Sequence, residues 1–149
     1  MGNDPRYNNT VIFDPFPFPD LTLDQRRRIA DLAEELDATR KLVLANAPRL
    51  TMTELYNLRG RIAAGEILVG ADLARATAAR AFIVHQLHEQ IDRAVADAYG
   101  WPDDLSPSEI VARLVALNHV RKAEEDAGII RWLRPEYQQP RFGRKESEQ

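Results

Sequence analysis

Apolar positions recur along this chain at spacings of three and four in successive stretches, and three of the stretches open on the same polar grammar. Ile29, Leu32, Ala33, Leu36, Val43 and Ala47 mark one face of a helix that Thr22 and Gln25 start as a capping box and Pro48 ends. Thr51 and Glu54 repeat the box, with Leu50 placed to staple onto Leu55. Leu55, Leu58 and Ile62 then face inwards over a short helix that Gly60 and Gly65 weaken. Glu66 to Gly70 reads as a loop, so truncating Leu68 should cost little.

A long helical run follows from Ala71 to Tyr99, with Val84, Leu87, Ile91, Val95 and Ala98 on its apolar face. It stops at Gly100-Trp101-Pro102, where glycine suits a left-handed end and proline cannot continue a helix. Ser106 and Glu109 form the third box, Pro107 takes the first helical position, and the helix runs to about Ala127. Ile110, Leu114 and Leu117 mark its inner face, with Asn118 beside that seam. The short link predicts that these two helices form an antiparallel hairpin and that the hairpin organises the chain. Ile129, Ile130, Trp132 and Leu133 should cover one end of the bundle.

The fold class expected is therefore all-α: an antiparallel bundle of about four helices with an extended proline-rich strap at its N-terminus. Phe16-Pro17-Phe18-Pro19 supplies the strap, since each proline biases its predecessor towards extended backbone, and its apolar side chains pack either on this bundle or on a partner; Thr10 to Phe13 suits a short strand. The expected division is a connector over 1–20, a bundle domain over 21–137 and a disordered tail over 138–149, where the composition turns polar.

Composition narrows the function classes. A chain of 149 residues is long enough to bury a core without staples, and the lack of cysteine excludes disulfides and thiolate metal sites. No apolar run has the length of a membrane span and Met1-Gly2-Asn3-Asp4 is no signal peptide, so a cytoplasmic setting is expected. A net charge of −3 gives no bulk attraction to nucleic acid. His85 and His88 lie three apart on a helix but lack a third ligand, so no metal is expected; they read as surface or interface histidines. Arg26-Arg27-Arg28 against Asp31, Glu34, Glu35 and Asp37 reads as a solvated polar face, with a DNA-facing patch as the alternative, and Glu124-Glu125-Asp126 reads as a solvated helix end. Asp14-Pro15-Phe16-Pro17 has its second proline displaced from the motif that holds a flipped adenine, and no glycine-rich loop precedes it. No catalytic and no cofactor-binding residue is expected.

Five ordered segments carry a resemblance: Phe16-Pro17-Phe18-Pro19, Leu50 to Asn57, Ile91 to Trp101, Leu114 to Glu125 and Arg131 to Tyr137. Together they resemble the C-terminal part of the large S-adenosylmethionine-dependent, adenine-specific DNA methyltransferases of single-chain restriction–modification and phage-exclusion systems. The resemblance implies that the catalytic and recognition domains lie upstream and that the chain meets DNA through its parent enzyme. It also implies that the parent binds S-adenosylmethionine, whereas this chain, lacking the cofactor loop, does not methylate DNA alone. Beside this stands a second reading, an independent helical module for dimerisation or protein binding. Any direct contact with DNA should be to phosphate, carried by Arg59, Arg61, Arg131 and Arg134, because a guanidinium fork matches phosphate oxygens. The alternative for the same arginines is pairing with Glu54, Glu124, Glu125 or Glu136.

Overall fold

The computed structural model describes residues 13, 16–47, 49–132 and 135–142. The described chain is all-helical, 74% in helix with no strand, and its elements are α1 (Leu23–Asn46), α2 (Met52–Ala63), α3 (Gly70–Ala78), α4 (Ala81–Tyr99), α5 (Pro107–Asp126) and α6 (Pro135–Phe142). All three capping boxes form. Thr22, Thr51 and Ser106 each accept from the backbone three residues on, and Gln25, Glu54 and Glu109 each return a bond to the cap. No described helix is long and apolar enough to cross a membrane. The strand expected over Thr10 to Phe13 falls almost wholly outside the described residues.

The described chain divides into two compact units: Pro19–Leu105 forms one, and the described residues of Met1–Phe18 and Ser106–Gln149 form the other. The first unit holds the core, which Leu36 and Val43 of α1, Leu55 and Leu58 of α2, Ala76 of α3 and Val84 and Leu87 of α4 build together. The hydrogen bond from Gln25 Nε2 to Asp97 Oδ2, 3.0 Å, puts the start of α1 beside the end of α4, so those two helices run antiparallel. The inward positions read on α2 and α4 hold: Leu55 and Val84 are fully buried, and Ile62 and Ile91 pack partly buried against the same cluster. Leu68 is corrected. It lies in the loop, as expected, but is only 6% exposed and belongs to the core.

The long run from Ala71 to Tyr99 is also corrected, because it is two helices. Arg80 sits between them in the left-handed region at φ 50°, ψ 30°. The burial pattern gives the cause. Ala76 and Ala79 are at helical spacing, as are Ala81, Val84 and Leu87, and all are buried. Ala79 and Ala81 are two residues apart, about 200° around a continuous helix, so one straight helix cannot bury both. The break re-phases the chain and lets both runs reach one core.

In the second unit, α5 has no buried residue; Leu114 and Leu117 are half-buried, and Asn118, expected beside a buried seam, is exposed. Of the two helices expected to form a hairpin, α4 builds the core of the first unit with α1, α2 and α3, and α5 belongs to the second. Glycine ends α5: Gly128, at φ 87°, lets Ile129 N–H bond the Glu124 carbonyl at 2.8 Å and its own N–H bond that of Glu125 at 2.9 Å. The Phe-Pro segment is turned rather than fully extended, with Phe16 N–H bonded to the Phe13 carbonyl, and the Phe18 ring meets Phe13 and Phe16 edge-on at 5.2 and 4.8 Å. Residues 138–142, expected in a disordered tail, belong to α6. Pro135 and Glu136 suit its first turn, which the polar composition of the tail had masked.

Candidate functional site

Two of the four arginines singled out are held by carboxylates. Gly65, at φ 75°, closes α2 by letting Glu66 N–H reach back to the Arg61 carbonyl, 3.0 Å, which reverses the chain. Glu66 then faces Arg61 and takes a two-point fork from Nε at 2.8 Å and Nη2 at 2.6 Å; Asp72 accepts from the same Nη2 at 2.9 Å. Glu66 and then Asp72 hold the Arg61 guanidinium above its ordinary value, and Arg61 in turn lowers Glu66.

The end of α5 repeats this design. Arg131 donates Nε and Nη2 to the two oxygens of Glu124 at 2.7 and 2.9 Å, and Arg121 adds a third bond at 3.1 Å. Arg131 first and Arg121 second lower the Glu124 carboxyl to about 2. Glu124 is therefore an anchored partner rather than a freely solvated end. Of the remaining two, Arg134 lies outside the described residues, and Arg59 is half-buried with its Nε enclosed and unbonded among the described residues.

The pattern of apolar residues did not reveal the polar cluster between α1, α2 and α4. Arg40 Nη1 donates to the Tyr56 hydroxyl at 3.2 Å, and that hydroxyl meets His88 Nε2 at 3.0 Å. Asp37 accepts from Arg40 Nη2 at 3.4 Å and pairs with Lys41 Nζ at 2.6 Å. Because Arg40 is donor only, the Tyr56 proton is free to go to an unprotonated His88 Nε2. Burial lowers the His88 pKa, and the nearby charge of Arg59 lowers it further. His85 keeps Nδ1 enclosed without a partner among the described residues, with Nε2 3.7 Å from Glu89. The legible signal was spacing: Arg40 lies four after Leu36, and Tyr56 and His88 each follow a core leucine.

A groove of about 600 Å³ opens in the same unit, between the end of α1, the first turn of α2 and the end of α3. Leu50, Ala78 and Ala79 line it, with Arg49, Glu54 and Arg75 as its charged groups. Glu54 Oε2 is already engaged by the Thr51 amide at 2.8 Å and hydroxyl at 2.9 Å. No group of three or more His, Asp or Glu residues suited to a metal is present among the described residues.

No protein-family profile, curated protein or solved structure matches this chain.

Proposed function

We propose that this chain is a non-catalytic helical domain that supports DNA target recognition as the C-terminal part of a S-adenosylmethionine-dependent, adenine-specific DNA methyltransferase of the restriction–modification type. In this reading the helices form an antiparallel bundle, with the Phe-Pro segment strapped to it and leading from the upstream domains. The observation that carries it is where the resembling segments lie. Leu50 to Asn57 and Ile91 to Trp101 supply Leu55, Tyr56 and Ile91 to one core and one polar cluster. These residues hold helices together rather than present reactive groups, which suits a supporting domain. The cofactor belongs to the parent's catalytic core.

Phosphate contact through Arg61 or Arg131 requires DNA to displace Glu66 or Glu124, and the chain carries a net charge of −3. Binding by the chain alone is therefore weak and falls steeply with salt. Anisotropy of a labelled duplex tests this across a salt series. A shallower salt slope and lower affinity in Arg131→Glu/Arg134→Glu, at unchanged melting temperature, supports contact; unchanged affinity refutes it.

A specific observation favours the second reading, a helical protein-interaction module. Val111, Val115 and Val120 of α5 are 59%, 51% and 54% exposed, apolar surface left open on a helix with no fully buried residue. Sedimentation analysis of the wild type and Val111→Asp/Val115→Asp separates the two: assembly lost in the variant supports the module.

A further inference from the structure

The groove beside α2 carries an excess of unspent positive charge. Arg49 and Arg75 are both exposed, and neither makes a hydrogen bond or ion pair among the described residues. Elsewhere in the molecule the arginines nearest to carboxylates have closed on them, as Arg61 has on Glu66 and Arg131 on Glu124. Glu54 is close enough to Arg75 for that charge to lower its pKa, yet its first partner is the Thr51 cap, and it makes no ion pair with Arg75. Glu54 is the one acidic group lining the groove, and its hydrogen bonds go to the cap rather than to an arginine, so the two arginines leave the lining with one net positive charge. Arg49 and Arg75 thus line the groove together with the apolar Leu50, Ala78 and Ala79, in a volume suited to a small organic molecule.

We infer that this groove binds a small organic carboxylate: an apolar body seated on Leu50, Ala78 and Ala79, with its carboxylate taken by Arg49 and Arg75. The body matches the lining, and the carboxylate matches the planar fork of arginine, which offers paired N–H donors at the spacing of two carboxylate oxygens. Neither arginine makes an ion pair with Glu54, the one acid lining the groove, so binding need break no existing ion pair. The inference is independent of the DNA-methyltransferase reading, since its charged groups, Arg49 and Arg75, lie outside the resembling segments and it uses none of Arg59, Arg61, Arg131 or Arg134.

The test is a titration of the full, isotope-labelled chain with sodium benzoate, followed by amide and arginine side-chain NMR shifts. Sodium chloride at matched ionic strength and benzyl alcohol, the neutral analogue, serve as controls. The expected result is saturable shifts at Leu50, Ala78, Ala79 and the Arg75 side chain, with a Kd of about 1–10 mM for so small a probe. Arg75→Gln and, separately, Arg49→Gln should each weaken binding about tenfold, because each removes a charge-assisted bond. Both side chains are exposed, so the fold persists, and unchanged dispersion in the spectra checks this. Three results overturn the inference: no saturable shift at these residues, equal shifts from benzyl alcohol, or wild-type affinity in both variants.

Discussion

Replacing Arg80 by glycine isolates the energetics of the break between α3 and α4. Arg80 adopts φ 50°, and its side chain is exposed and without a hydrogen bond or ion pair among the described residues, so the substitution acts through the backbone. A non-glycine residue in the left-handed region costs about 1–2 kcal/mol. Glycine removes that cost but adds about 0.5–1 kcal/mol of unfolded-state entropy relative to alanine. The net expectation is a gain of about 0.5 kcal/mol. Were residues 71–99 one helix, the same change would instead lose about 1 kcal/mol. The two architectures thus differ by about 1.5 kcal/mol, several degrees in melting temperature for a unit of this size. Urea denaturation followed by far-ultraviolet circular dichroism measures it, with Arg80→Ala as control, since alanine keeps the strain and should stay within about 0.5 kcal/mol of wild type. A loss of about 1 kcal/mol in Arg80→Gly refutes the re-phasing argument.

The remaining expectations follow from burial and charge. Leu68→Ala should cost about 2–5 kcal/mol in chemical denaturation, like Leu87→Ala, whereas Leu114→Ala, half-buried, should cost about 1 kcal/mol. His88 has its folded pKa below the ordinary 6.5, so the unfolded chain takes up the proton first; its contribution is complete above that value and is lost as pH falls below it. Melting temperatures across pH should show this slope, and His88→Gln should flatten it; an unchanged slope contradicts the buried neutral imidazole. Glu124 should titrate near 2 in carboxyl NMR, returning towards 4.5 in Arg131→Gln, because Arg131 is its largest stabiliser.

The legible part of this fold was local. Thr22, Thr51 and Ser106 announced three helix starts because a capping box is written within four residues. Gly100 marked the end of α4 for the same reason, lying at φ 66°. The break at Arg80 was not legible, since no glycine or proline marks it and its cause is the joint burial of Ala79 and Ala81 in a core assembled from four helices. Leu68 was misread because loop chemistry says nothing of what a loop packs against. That α4 builds its core with α1, α2 and α3 was not legible either, because a short connection to α5 limits distance but does not decide what the apolar face of α4 covers. At the candidate site, Arg131 and Glu124 are seven apart, and the pair needed the Gly128 reversal to bring them together. Arg40, Tyr56 and His88 sit on three different helices, so only tertiary structure joins them.

Methyl transfer to adenine by the product of the reading frame that joins this chain to its upstream sequence tests the central claim most directly. With tritiated S-adenosylmethionine and mixed duplex DNA, the account predicts transfer by the joined polypeptide, its loss on deleting residues 21–137, and none by the 149-residue chain alone. Transfer by the chain alone, or by the joined polypeptide undiminished after the deletion, would contradict it, as would an upstream frame without any methyltransferase activity.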